Sequence, residues 1–169
     1  MALNSGFLLT ALMIAPSLAW TQATPAPAPA AKIVVQVGDK PELTLTQEDL
    51  AQMPQHEVKE VEHGNTVEYE GVLLHDVLAR AGAPLGADLK GKALSTYVLA
   101  SARDGYEVVY ALTEFDSAFT DSDIIVADKS AGQPLNANQG PLRIVVPHDK
   151  KPARSLRMLE RIDVVQLRK

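Results

Sequence analysis

Gly71-Val72-Leu73-Leu74-His75-Asp76-Val77-Leu78-Ala79-Arg80-Ala81-Gly82 is the stretch on which the fold turns. Leu74, Val77, Leu78 and Ala81 recur at helical spacing, and Gly82 stands where a helix needs a residue that tolerates a left-handed cap. The pattern predicts one clear helix over 71–82, with His75 exposed on the side away from Leu74 and Leu78. Almost everything around it reads as strand. Upstream, Ile33 to Val37 and Leu43 to Leu45 flank Gly38-Asp39-Lys40 as a β-hairpin. Thr46 and Asp49 form a capping-box pattern that predicts a short helix from Gln47 to about Met53, stopped by Pro54. His56 to Val61 and Thr66 to Tyr69 alternate polar and apolar residues around a His63-Gly64-Asn65 loop. Downstream, Leu94–Leu99, Tyr106–Ala111, Ile124–Ala127 and Leu142–Val146 are β-prone runs divided by turn signals at Asp104-Gly105, Ala131-Gly132 and Gln139-Gly140-Pro141. A brief helical stretch around Ser155–Leu159 and a last strand over Asp163–Leu167 complete the reading. The fold class is α+β: a strand-rich, mixed or antiparallel sheet with a few short helices.

The amino-terminal residues have a different character. Residues 1–31 carry no Lys, Arg, Asp or Glu, and Phe7 to Trp20 is an apolar run broken by Pro16 and Ser17. The run is shorter than the roughly 20 residues of a membrane-spanning helix, and small residues follow where a signal peptidase cuts. Residues 1–23 are therefore expected to be a cleaved signal peptide, leaving no transmembrane span in the mature chain. Residues 24–31, with Pro25, Pro27 and Pro29 alternating with Ala, read as an extended linker. One domain is expected over 32–169, a length that supports a single core. Its expected location is periplasmic or secreted.

The chain has no cysteine. Disulfides, thiolate metal sites and cysteine nucleophiles are thereby excluded. The formal net charge of −5 is unevenly spread: residues 143–169 hold 8 basic and 3 acidic side chains, whereas 32–142 hold 8 basic and 18 acidic. An acidic body with one basic segment excludes a nucleic-acid binder, which needs extended positive surface, and leaves room for a local anion site. No serine-hydrolase elbow, zinc-protease, phosphate-loop or dinucleotide motif is present.

Five segments, taken in order, carry a resemblance. They are Gly71 to Pro84, Ser101-Ala102-Arg103-Asp104-Gly105-Tyr106, Gly132-Gln133-Pro134-Leu135, Gly140-Pro141-Leu142-Arg143-Ile144-Val145-Val146-Pro147, and Lys151-Pro152-Ala153-Arg154-Ser155-Leu156-Arg157. Together they resemble the oxidoreductase molybdopterin-binding domain of the sulfite-oxidase type, over about residues 33–167. The resemblance implies that family's fold, molybdopterin as a possible cofactor, and an anion-holding role for Arg154, Ser155 and Arg157. In the family's catalytic members a cysteine thiolate binds molybdenum from a loop whose nearest counterpart here is Glu62-His63-Gly64-Asn65, so that Glu62 stands at the cysteine position. A carboxylate does not reproduce the electronics of a soft thiolate. No metal-ligating residue is therefore assigned.

Two candidate sites follow, each with a plainer alternative. Glu62, His63 and Asn65 either face a cofactor or form a polar hairpin turn. Arg154, Ser155 and Arg157, with His148, Lys150 and Lys151, either clamp an anion at the start of a helix or form a solvated basic surface. Arg103, Asp104 and Tyr106 either line the cleft or make a hairpin turn. The expected function is an exported domain resembling molybdopterin-dependent oxidoreductases, binding an anionic pterin but lacking the molybdenum-ligating cysteine. The alternative is a cofactor-free binding or interaction module for an anionic small-molecule ligand or a membrane-bound redox or sensory partner.

Overall fold

The computed structural model describes residues 31–62 and 64–167. The expected signal peptide and all but the last residue of the expected linker lie outside the described residues, as does His63. The amino-terminal hairpin forms as its turn chemistry demands: β1 (Lys32–Val37) pairs antiparallel with β2 (Leu43–Thr46). Thr46 then caps α1 (Gln47–Ala51), with both halves of the capping box made to Asp49. The next hairpin joins β3 (Gln55–Glu62) to β4 (Asn65–Leu73), with Glu62 opposite Asn65.

Gly71 to Leu73 are the last residues of β4, so the helix α2 is only Leu74–Arg80. Apolar character at Val72 and Leu74 suits either state, and pairing with a neighbouring strand decides for β at 71–73. At the other end the helix closes as the sequence implies. Gly82 has φ +78°, its N–H donates to the Ala79 carbonyl, and the Ala83 N–H donates to the Leu78 carbonyl.

After two 3₁₀ turns come β5 (Thr96–Ala102), β6 (Glu107–Ala111), β7 (Ile125–Ser130), the two-residue β8 (Gln133–Pro134), β9 (Arg143–Val145) and β10 (Leu159–Gln166). They make two sheets. The first runs β2-β1-β10-β5-β6 and is mixed, because β10 lies parallel to β1 and antiparallel to β5. The second is antiparallel and runs β3-β4-β7-β8, with β9 also paired to β7. The expected strand-rich α+β fold is what the chain adopts. One element differs: the helix expected around Ser155–Leu159 is absent, replaced by a 3₁₀ turn at Pro152–Arg154 and by Met158 at φ +51°. Pro152 starts that turn, and the left-handed Met158 redirects the chain straight into β10.

The main core lies between the inner face of the first sheet, including Ile33, Val35, Ile162, Val164 and Val98, and the helix residues Leu74, Val77 and Leu78. A smaller cluster of Val58, Tyr69, Ile125, Ala127 and Val145 lies on the far face of the second sheet. Strands β7 and β9 face both clusters: Val126 and Ile144 point to the first, Ile125 and Val145 to the second. That is why their sequences are unbroken apolar runs rather than alternating ones. The exception, Arg143, sits inside such a run.

Gly71 lets β4 approach β7 at the point where their register shifts. A Cβ there would lie 2.1 Å from the Val126 carbonyl oxygen. Gly71→Ala is expected to destabilise the domain by about 2 kcal/mol or more in urea unfolding.

Candidate functional site

Strand alternation places Val58, Glu60 and Glu62 on one face of β3, toward Tyr69 of β4 and Arg143 of β9. Arg143 is wholly buried and Glu60 is 2% exposed. Arg143 Nη2 reaches Glu60 Oε2 at 3.2 Å and Glu62 Oε1 at 2.9 Å. Its Nη1 donates to the Tyr69 hydroxyl oxygen at 2.6 Å, and that hydroxyl donates to Glu62 Oε1 at 3.0 Å. The guanidinium also lies 4.5 Å from the centre of the Tyr69 ring. Ser155 Oγ donates to Glu60 Oε1 and accepts the Val146 N–H at 2.9 Å. The hairpin β3–β4, the strand β9 and the segment after Pro152 are thus tied to one another through a single cation.

Burial raises the Glu60 pKa, with the neighbouring Glu62 adding to the rise and Ser155 and Arg143 opposing it. Burial acts on Glu62 in the same direction, but Arg143 and the hydrogen bonds from Tyr69 and its neighbours prevail and hold it low. The Tyr69 phenol is pushed up to about 12, chiefly by burial, and so remains a donor.

Arg154 is equally occupied. Its guanidinium makes a two-pronged contact with Asp149, at 2.7 and 2.8 Å, and a third bond to Glu114 at 2.7 Å. These bonds raise its pKa, and those with Arg154 lower that of Asp149. The Arg154 carbonyl accepts the Tyr110 hydroxyl, and the guanidinium lies 5.4 Å from that ring. The expected helix does not begin here: the element is a 3₁₀ turn of three residues, so the helix start invoked in the anion-clamp alternative is absent.

Of the residues singled out in sequence, Arg157 is the cation that stays exposed beside a concavity. It lines a depression of about 230 Å³ with Asp104, Tyr106, Pro152, Ala153 and Ser155. The Asp104-Gly105 turn forms, and it brings Tyr106 across to donate its hydroxyl to the Ala153 carbonyl at 2.9 Å. The structure thus places the 101–106 turn against the 151–157 segment, a contact that was not read from the sequence. Asn65 is exposed at the hairpin end, and His148, Lys150 and Lys151 are exposed on the loop. His75, expected to be exposed, is half-buried, with Nδ1 2.9 Å from the Phe115 carbonyl. The sequence analysis passed over Glu60, Tyr69 and Arg143. Arg143 was the legible one, as a charge within Leu142–Val146.

The concavities flanking the loop hold about 380 and 410 Å³; the first sets Arg154 and His148 among Glu114, Asp121 and Asp149, the second sets Lys59 and His148 among Glu57, Glu68 and Asp123, so carboxylates outnumber cations in both. The largest, about 1230 Å³, is an open trough past the carboxyl ends of β1 and β10 and contains no candidate residue. Among the described residues, no group of three or more His, Asp or Glu side chains is arranged to hold a metal, and no helix is long and apolar enough to cross a membrane.

A family model described as oxidoreductase molybdopterin binding domain matches residues 23–169. The chain belongs to that family. Among solved structures, the sulfane dehydrogenase SoxCD from Paracoccus pantotrophus is similar, with a TM-score of 0.59 and 18% identity over 79% of this chain. That likeness bears on the fold, and this chain spans 37% of the SoxCD chain. No curated protein matches. The fold of molybdopterin-dependent enzymes is present, but the residues offered to the cofactor do not fit it. The chain has no cysteine to supply a thiolate, Glu62 is turned into Arg143, Arg154 is held by two carboxylates, and the depression at Arg157 is below the usual range of ligand pockets.

Arg143→Met leaves two buried carboxyl groups without their cation, and is expected to lower stability by about 3–5 kcal/mol in urea unfolding. The triple substitution E60L/R143M/E62L is expected to recover most of that loss. Failure of the triple variant to recover would show that the cluster is held by something other than charge balance.

Proposed function

We propose that this chain is an exported, cofactor-free member of the molybdopterin-binding domain family that works as a binding module. The observation that carries the reading is the internal saturation of the residues a cofactor would need. Glu62 is committed to Arg143 and Tyr69, Arg154 to Asp149 and Glu114, and Ser155 to Glu60 and Val146. An incoming pterin would have to displace charge-assisted bonds, each of which contributes about 1.5–3 kcal/mol. What remains for a partner is the outer surface of the same loop, where Lys150, Lys151 and Arg157 are exposed beside Tyr106. That surface fits an acidic ligand, or the acidic face of a membrane-bound redox or sensory partner, with an affinity that falls as salt rises.

The finer alternative is that the fold still holds an anionic pterin, at Arg157, Tyr106 and Ser155. Protein purified from the periplasm of its producing cells, assayed for molybdenum by mass spectrometry and for pterin by fluorescence after oxidation, separates the two. The module reading expects both to be far below one per chain. A stoichiometric pterin would overturn it, and stoichiometric molybdenum would make the chain an oxidoreductase without a protein thiolate.

A further inference from the structure

We infer that Glu60 and Glu62 hold a single proton between them, so that the buried cluster is electrically neutral in the folded chain and becomes charged when that proton leaves. Both carboxyl groups reach one nitrogen of Arg143, Glu60 at 3.2 Å and Glu62 at 2.9 Å. The ionisable groups facing the pair from the packed elements are Arg143 on β9 and Tyr69 on β4; Ser155 adds a hydroxyl. One cation balances one carboxylate. A second carboxylate in an interior where Arg143 is fully buried and Glu60 nearly so would be an uncompensated charge, which a protein avoids by protonating the group. The donors fix which group carries the proton. Glu62 accepts from Tyr69 and from Arg143 at the shorter distance, and so is the carboxylate. Glu60, with the longer contact to Arg143, is the acid.

The raised Glu60 pKa agrees with this assignment. The folded chain keeps a proton that an unfolded glutamate loses above about pH 4.3. Stability is then greatest below that pH as far as this group is concerned. It falls as pH rises toward the folded-state pKa, where the proton passes to solvent. The structural consequence lies at Ser155, whose hydroxyl bridges Glu60 to the Val146 amide. Net charge appearing at Glu60 acts on the segment leading to the exposed basic loop.

Isotope-edited infrared spectroscopy of the full chain, with glutamate carboxyl groups labelled, reads the proton directly. A protonated-carboxyl band is expected near neutral pH in the native protein, lost in Glu60→Gln and also in Glu62→Gln, where Glu60 alone pairs with Arg143. Asp128→Asn serves as control, since burial raises Asp128 as well, and labelling glutamate alone keeps it out of the band. If Glu60→Gln does not fold, Glu62→Gln and the native protein suffice. Hydrogen exchange at the Val146 amide is expected to rise with pH more steeply in the native protein than in Glu60→Gln. A native protein without the band, or a band that survives in the Gln variants, overturns the inference.

Discussion

A guanidinium with no access to water is the constraint from which the rest of this structure follows. Arg143 stands in a strand whose neighbours Leu142, Ile144, Val145 and Val146 are all buried, so its charge has no route to solvent. A buried cation demands carboxylate partners and further donors and acceptors around them, or it costs several kcal/mol. Glu60 and Glu62 meet the demand from β3, Tyr69 from β4, and Ser155 by fixing Glu60 in place. Such a cluster is weak as a source of net stability but strict as a specification. Its members stand on four separate segments, β3, β4, β9 and the stretch after Pro152, so hairpin, strand and loop must come together for these bonds to form.

This arrangement bears on what the family's fold does here. Members of the family are described by their binding of molybdopterin; the loop read from the sequence resemblance as the counterpart of the family's metal-ligating loop carries Glu62, and the chain has no cysteine. A carboxylate in that place has turned inward to an arginine rather than outward to a ligand. Arg154 is likewise held by Asp149 and Glu114, and Tyr110 and Tyr106 fasten the backbone of Arg154 and Ala153. The loop is thus pre-formed by its own side chains. The basic side chains left exposed at this surface are Lys150, Lys151 and Arg157.

Much of the scaffold was legible in sequence because its signals are local. The Thr46–Asp49 capping box, the Gly82 cap and the alternation of β3 each depend on residues within one turn or one strand. The misreadings arise where partners distant in sequence decide. Residues 71–73 are strand because β7 lies beside them, and His75 is half-buried because the Phe115 carbonyl, 40 residues on, sits over it. The site shows the same division. The Asp104-Gly105 turn was legible because its signal is local, whereas the meeting of Tyr106 with Ala153 and the occupation of Glu62 and Arg154 were not. Their partners Arg143 and Glu114 stand 81 and 40 residues away, and composition does not pair charges.

The central claim is that the cluster around Arg143 completes the fold without a cofactor. Its most direct test is the thermal unfolding midpoint of the protein made in cells that cannot synthesise molybdopterin, set against the same protein from cells that can. A resident cofactor stabilises the state it binds, so its loss lowers the midpoint. The account predicts identical midpoints and identical native masses for the two preparations. A lower midpoint and a lighter protein from the deficient cells would contradict it.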